Sequence, residues 1–570
     1  MRRNMTQNWF RPHPFGVYPR GNARDPLDLT IPRFGTLSSL QGAAKGQIVK
    51  SGISGCEPTE EAFLDLILHL LSFCSVDDIC RISGSCTGWY CLIHASDAFK
   101  QAYGLISPNY LRFRRSWKDS AIQCFLSLKD KTSSDDKNCL LTRKNSSAFC
   151  TDNNNDDDDD NKMTKIFIHR PFAVKRVFFN DQLFQAWLCT ILPCHYHLRP
   201  AIKTTVHEED AAWPNGANPI QEAPRFRTAL KEVPRCSGLT PNEFRKRFEE
   251  PNLPVILTDV AVNWPMFRIL EGNFKNLATK AKELFRSNAS LDVPMRCEHT
   301  TMTVSDYVRY AVEQSDERPI YMFDAEFGTS MAADSLYTVP EHFGRDDFFK
   351  VLGKERPKYR WIIAGPKRGG SSFHVDPNYT NAWNANLTGR KRWILFPPGC
   401  TPAGVFPSED MSEVTTPVSL TEWLLNHYDA TVEKWKGVGY ECICEPGDIM
   451  FIPCGWWHFV INLEDSVAIT QNYVSECNLP SVMKFLSAMK SSISGIDEDA
   501  DNTVGAMVEK RRANFADEFA AAMHSSFPDL MKRVETDLEK EAQLRRERKR
   551  THVTALPLLD AEADGFTFNF

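Results

Sequence analysis

Apolar residues are spaced differently in successive parts of the chain. Residues 1–55 carry Arg, Pro, Gly, Asn and Ser without a repeating apolar position, the composition of a flexible arm. From Thr59 the spacing becomes helical: Phe63, Leu64, Ile67, Leu70 and Leu71 share one face, and Val76-Asp77-Asp78-Ile79 begins a further helix with acidic residues in its first turn. Ile82, Cys86, Trp89 and Tyr90 continue an apolar face, so 56–125 is expected to be a small helical domain. The pattern disappears over 126–165. There Asp152 to Asn155 lead into Asp156 to Asp160, a run that repels itself and has nothing to bury, which marks an acidic low-complexity insertion. Residues 166–236 form a connecting region.

Order returns near Leu239. Pro241 to Glu249 reads as a helix behind Thr240, and Pro254-Val255-Ile256-Leu257 as a short buried strand. Helical spacing over Phe274 to Phe285 and Val304 to Glu313 is followed by strands at Ile320 to Asp324, Tyr359 to Pro366, Lys391 to Phe396, Tyr440 to Cys444, Ile449 to Pro453, His458 to Asn462 and Val467 to Tyr473. Many short strands with Gly and Pro turns predict a mainly β domain over 237–476, a double-stranded β-helix or jelly roll of the cupin kind with flanking helices. Over 477–570 the helical period resumes at Val482, Phe485, Leu486 and Met489 and again at Phe515, Phe519, Met523 and Phe527, faces that either pack on the barrel or form a homodimer surface. The run Arg545-Arg546-Glu547-Arg548-Lys549-Arg550 reads as a nuclear localisation signal, an RNA contact or the solvated face of a last helix.

Composition narrows the class. A chain of 570 residues with 42% hydrophobic and 11% aromatic residues has material for two or more domains with real cores. Its net charge of -6 gives no global drive toward nucleic acid or membrane, so a basic contact has to be local. Arg2 and Arg3 are not followed by an apolar signal core, and the longest apolar run, Phe63 to Phe73, is broken by Asp65 and His69. The 17 cysteines have no regular spacing, which suits reduced thiols. The expectation is a soluble intracellular protein, nuclear before cytoplasmic, without a membrane partner.

The candidate chemistry lies in two stretches. His374 and Asp376 are two residues apart, which on a strand sends both to one face, and Gly455-Trp456-Trp457-His458 supplies a second imidazole at the mouth of another strand. Two histidines and one carboxylate occupy one face of an octahedral Fe(II) ion and leave positions open for a bidentate co-substrate and dioxygen, an arrangement closer to iron oxygenases than to structural zinc. Cys189, Cys194, His195 and His197 fit no standard zinc spacing, and the acidic run lacks the spaced ligands and glycine turn of a Ca2+ loop.

Taken together, His374-Val375-Asp376-Pro377, Asn381-Ala382-Trp383-Asn384, Gly389-Arg390-Lys391-Arg392-Trp393, Gly455 to His458 and Ile469-Thr470-Gln471-Asn472 resemble the Jumonji-C oxygenases, most closely the phosphatidylserine-receptor-like branch of protein lysyl hydroxylases and arginine demethylases. Leu64 to Trp117 resembles an F-box, through its leucine-rich first helix, Asp78-Ile79, Cys86 with Trp89, and Phe99, although the usual opening leucine-proline is missing. The first resemblance implies iron bound by His374, Asp376 and His458, with 2-oxoglutarate and dioxygen as co-substrates and ascorbate in support. Lys391 is expected to meet the far carboxylate of 2-oxoglutarate, because a buried lysine needs an anion. Tyr321, Ser371 and Thr470 are implied as hydroxyl donors to that carboxylate, and Asn384 and Asn472 as lining the same cavity.

The implied reaction hydroxylates a protein side chain, foremost lysine, in lysine- or arginine-rich substrates. Methyl-arginine or methyl-lysine demethylation, on histones or elsewhere, is the alternative. A third reading makes the chain a substrate adaptor of a cullin ubiquitin ligase, bound to a Skp-type adaptor through the helix with Leu70 and Leu71.

Overall fold

The computed structural model describes residues 17–18, 69–85, 92–94, 96–107, 111–134, 178–179, 189–190, 230–286, 293–298, 300–331, 333–344, 347–496 and 505–554. The expected N-terminal arm (apart from 17–18), the acidic run, and Cys194, His195 and His197 lie outside them. The chain divides into two units, Met1–Ile191 and Leu192–Phe570.

In the first unit, helices α1 (Val76–Ser85), α2 (Ala98–Ile106) and α3 (Trp117–Ser134) form a small bundle. Asp77 and Asp78 occupy the first turn of α1, where carboxylates oppose the helix dipole favourably. Val76, Ile79, Phe99, Tyr103, Phe113 and Ala121 supply the buried face. Leu71 is buried, but Leu70 and Phe73 are 57% and 72% exposed.

The second unit is a jelly roll. It begins with the short strands β1 (Lys231–Glu232), β2 (Arg235–Cys236) and β3 (Val255–Leu257), then β4 (Pro294–Cys297), β5 (Thr300–Thr303), α4 (Val304–Glu313) and β6 (Met322–Asp324). The barrel strands follow: β7 (Arg360–Gly365), β8 (Gly370–His374), β9 (Asn381–Thr388), β10 (Lys391–Phe396), β11 (Tyr440–Cys444), β12 (Ile449–Ile452), β13 (Trp457–Asn462) and β14 (Ser466–Tyr473). They fall into a five-stranded sheet, ordered β8-β13-β10-β11-β1, and a nine-stranded sheet, ordered β2-β3-β12-β9-β14-β7-β6-β4-β5. Pairing within the barrel is antiparallel throughout.

Barrel strands are buried on both faces, and the alternation of side chains sorts them into two cores. Ala382, Trp393, Leu395, Cys442, Met450, Ile452 and Val460 meet between the sheets. Ile394, Phe396, Ile443, Phe459 and Ile461 point outward from the smaller sheet and are covered by Trp423, Leu424 and Tyr428 of α5 (Leu420–Asn426) and α6 (Tyr428–Lys434). Trp456 and Trp457 pack into these two cores, one in each, and so hold the segment before His458.

Two local expectations change. Pro241–Phe244 is α-helical with a Thr240/Glu243 capping box, but Arg245–Glu249 continues as a π-helix, which buries Phe248 and Glu249. The strand carrying His374 also stops there: Pro377 has no N–H for a ladder, and Asp376 sits in the extended residue before the turn Pro377–Tyr379.

The carboxyl-terminal helices α7 (Leu479–Ala488), α8 (Gly505–Ser526) and α9 (Pro528–Thr554) follow the barrel. Val482, Phe485, Leu486, Phe515, Phe519 and Met523 pack together with Phe348, Phe349 and Val474, so the faces considered for a homodimer are largely occupied within the chain. The basic run lies on α9. No helix among the described residues is long and apolar enough to cross a membrane.

Candidate active site

His374 ends β8 and His458 lies near the start of β13, and the antiparallel register makes them direct cross-strand partners. Their ring centroids are 4.1 Å apart. Asp376 Oδ2 lies 3.9 Å from His458 Nε2, and one ligand atom from each of His374, Asp376 and His458 falls within 4.8 Å of the others. His374 Nδ1 is 2.8 Å from the Ser372 carbonyl and His458 Nδ1 is 3.1 Å from the Trp456 carbonyl. With the proton on Nδ1, each ring donates to its own backbone and turns the Nε2 lone pair into the site.

Electrostatics favour the same use. Burial lowers both imidazoles to about 4, with the neighbouring His458 adding to the effect at His374. They are therefore neutral near pH 7, the form that ligates metals. Burial raises Asp376 to about 6, and its Oδ2 is a buried oxygen without a hydrogen-bond partner. An orphaned carboxylate oxygen beside two neutral imidazole acceptors is a donor set that a divalent cation completes.

Deeper in the barrel, the register places Lys391 opposite Asn462, four residues along β13 from His458 on the same face. Lys391 is fully buried, and its Nζ donates to the Tyr321 hydroxyl at 3.1 Å. Burial lowers the ammonium to about 7. Tyr321 reaches it by lying flat against Gly365, where a Cβ would meet the ring at 2.4 Å. Its neighbour Arg392 points to the other face and has a carboxylate, Glu441, at 2.7 Å with both side chains fully buried. Among the described residues Lys391 has no such carboxylate. A buried ammonium without a carboxylate calls for an anion.

The remaining residues lie between or beside these two ends. Ser371 is three residues from His374, which on a regular strand would put them on opposite faces. A bulge between them brings both inward, as their pairing with Val460 and His458 shows. Asn384 faces Thr470 across β9 and β14, and its buried Oδ1 has no partner. Thr470 donates its hydroxyl proton to the Trp383 carbonyl at 2.9 Å. Asn472 belongs to the imidazole end: its Nδ2 donates to Thr380 Oγ1 at 2.8 Å, and the side chain hydrogen-bonds to Asp376. Asn462 is a residue that the sequence reading missed. It faces Lys391, its Nδ2 donates to the carbonyls of Gly365 and Pro366, and its buried Oδ1 is unpartnered. Alternation from His458 would have placed it on the interior face.

A family model described as a cupin-like domain matches residues 241–478. The arginine-specific demethylase JMJ22 of Arabidopsis thaliana is 39% identical over 69% of this chain and 67% of its own length. The bifunctional arginine demethylase and lysyl-hydroxylase psr-1 of Caenorhabditis elegans is 32% identical over 50% of this chain and 73% of its own. The 2-oxoglutarate and iron-dependent oxygenase JMJD4 of Mus musculus is 35% identical over 27% of this chain and 35% of its own. With this coverage and this barrel, the chain belongs to the cupin-like JmjC family of iron(II)- and 2-oxoglutarate-dependent oxygenases.

Proposed function

We propose that this oxygenase hydroxylates lysyl side chains of proteins, with iron held by His374, Asp376 and His458 and the far carboxylate of 2-oxoglutarate held by Lys391. The observation that carries the reading is the contrast on β10: two adjacent buried cations, of which Arg392 has its carboxylate and Lys391 has only a neutral phenol. When bound, iron, 2-oxoglutarate and dioxygen supply the oxidising power, with 2-oxoglutarate leaving as succinate and carbon dioxide and one oxygen atom passing to the substrate carbon.

The chain's own residues do the positioning. His374 and His458 are kept neutral by burial and aimed by their backbone bonds. Asn472 steadies Asp376, Tyr321 and Asn462 flank Lys391, and Ser371, Asn384 and Thr470 complete the interior set.

Similarity to a relative described as both arginine demethylase and lysyl-hydroxylase supports a basic side chain as substrate. Similarity to the arginine-specific demethylase favours a second reading, in which oxygen enters an N-methyl carbon of arginine and the hydroxymethyl product releases formaldehyde. Lysine-rich, arginine-rich and methylated peptides, incubated with the protein, Fe(II), 2-oxoglutarate and ascorbate, separate the two by mass spectrometry. Gain of one oxygen on unmodified lysine is expected; loss of a methyl group instead would make the enzyme a demethylase. The His374→Ala protein is expected to be inactive, and retained turnover would remove the metal assignment.

We also infer that the helical bundle docks a Skp-type adaptor of a cullin ligase through Leu70 and Phe73, apolar side chains left largely in solvent. Leu71, by contrast, belongs to the bundle interior. Co-purification that is lost in Leu70→Asp supports this reading; co-purification that is unaffected overturns it.

A further inference from the structure

We propose that a short strap, Ser491 to Ile496, positions the loop bearing Asp376. The proposal rests on the reading of His374, Asp376 and His458 as metal ligands. Beyond Asp376 the backbone makes a turn in which Asn378 and Tyr379 both have left-handed φ values, 56° and 58°. Two successive non-glycine residues seldom adopt this conformation unless their surroundings impose it.

The imposing groups are identifiable. Asn378 is buried, its Nδ2 donates to the Ser494 carbonyl at 3.0 Å, and its Oδ1 accepts from the Ser494 N–H at 3.1 Å. One amide thus reads one residue of the strap through both backbone groups, which fixes direction as well as distance. The Tyr379 ring stacks on Phe485 of α7, 5.8 Å between centroids at 17°. The ring also lies against Gly455, where a Cβ would sit 2.2 Å from the phenol oxygen. The same turn therefore abuts both ligand-bearing segments: the one holding Asp376 and the one leading to His458.

The strap is itself anchored at separate places. Ser491 Oγ donates to Asp410 Oδ2 at 2.7 Å, Ser492 Oγ donates to the Asp410 carbonyl, and the Lys358 N–H donates to the Gly495 carbonyl at 2.7 Å. Within it, Ile493 and Ile496 are buried. A relay of hydrogen bonds continues toward the ligand: Thr380 Oγ1 donates to the Pro377 carbonyl at 2.8 Å and accepts from Asn472, which bonds Asp376. Asn378 and Gly495 act in this scheme as positioning residues, and neither is a ligand.

Two variants test it. Asn378→Gly deletes the amide while tolerating the left-handed backbone. Gly495→Ala unseats the strap from a distance, since Gly495 has φ +78° and its Cβ would lie 3.0 Å from the Lys358 nitrogen. Hydrogen exchange of the Tyr379 and Thr380 amides is measured on metal-free protein, together with thermal melting, Co(II) affinity and the Co(II) visible spectrum. Both variants are expected to exchange at these amides about tenfold faster and to bind Co(II) about tenfold more weakly with altered ligand-field bands, while the KM for 2-oxoglutarate stays within about twofold. Folded variants with wild-type exchange, affinity and spectrum would overturn the positioning role. His374→Ala is run alongside: if it binds Co(II) like the wild type, the metal reading falls, and the exchange rates still decide whether the strap holds the loop.

Discussion

Lys391 and Arg392 are neighbours on one strand with opposite electrostatic situations. Alternation sends Arg392 outward to Glu441, which also accepts from the Tyr428 hydroxyl at 2.8 Å, and sends Lys391 inward beside a phenol. Replacing Arg392 with Met strands a buried carboxylate and is expected to cost about 3–5 kcal/mol in a denaturation experiment. Lys391→Met removes a buried charge without stranding another, so the ligand-free fold should be as stable as the wild type or more so. The same substitution should weaken 2-oxoglutarate binding by about tenfold or more while leaving Co(II) binding intact. Because burial lowers Lys391 to about 7 from an ordinary 10.5, the folded chain holds fewer protons than the unfolded chain between those values. This group therefore adds stability as pH rises through that window. An incoming carboxylate restores the proton, so 2-oxoglutarate affinity is expected to fall from pH 7 to pH 9, and binding at pH 8 should draw a proton from solvent. Calorimetry in buffers of different ionisation enthalpy measures that uptake.

Among the elements, β8 decides how the ligands meet. It brings His374 against His458 and, through its bulge, turns Ser371 inward as well. Burial lowers the histidines to about 4 and raises Asp376 to about 6, so acid first protonates the carboxylate. Co(II) affinity is expected to drop as pH is lowered through 6, well before the imidazoles titrate; a midpoint near 4 would show that Asp376 is not a ligand. In the metal-free protein the two effects on stability oppose each other. Asp376, raised above its ordinary 3.8, stabilises the fold as pH falls from about 6, whereas the histidines, lowered from 6.5 to about 4, cost stability over a similar range.

The barrel strands were legible in the sequence because apolar residues at short, turn-bounded intervals leave few alternatives: Lys391–Phe396 and Tyr440–Cys444 coincide with their expected limits. The histidine-aspartate pair was legible from its spacing, although Asp376 lies beyond the strand. The bulge that turns Ser371 inward depends on pairing with β13 and has no local sequence signal. The π-helix at Arg245–Glu249 likewise follows from tertiary contacts: Glu249 receives Tyr473 Oη at 2.9 Å and Asn381 Nδ2 at 3.3 Å, and this network reaches across the sequence to the barrel. Asn462 differs, because alternation alone would have found it.

At the scale of the whole molecule, the carboxyl-terminal helices complete the barrel's unit. Phe519 is fully buried among Phe349, Phe515 and Met523, and Phe527, next in the same helical series, is 41% exposed although its ring lies 5.1 Å from Phe348. Ion pairs tie the same region to earlier parts of the unit: Arg533 to Glu476 at 3.3 Å, Arg245 to Glu476 at 3.0 Å, and Arg511 to Glu355 at 2.5 Å. These pairs are partly solvated and secure geometry more than free energy. The aromatic core carries the stability. Phe519→Ala is expected to cost about 3–5 kcal/mol through lost burial and the cavity left behind, and Phe527→Ala much less. Val474 and Tyr379 pack on this core, one just after β14 and the other three residues beyond Asp376, so loosening it should also weaken Co(II) binding below the melting transition. Phe527→Ala should leave both Co(II) affinity and the oligomeric state unchanged. If the Phe519 variant instead melted like the wild type, or the Phe527 variant dissociated a dimer, these helices would be serving a partner subunit and not their own barrel.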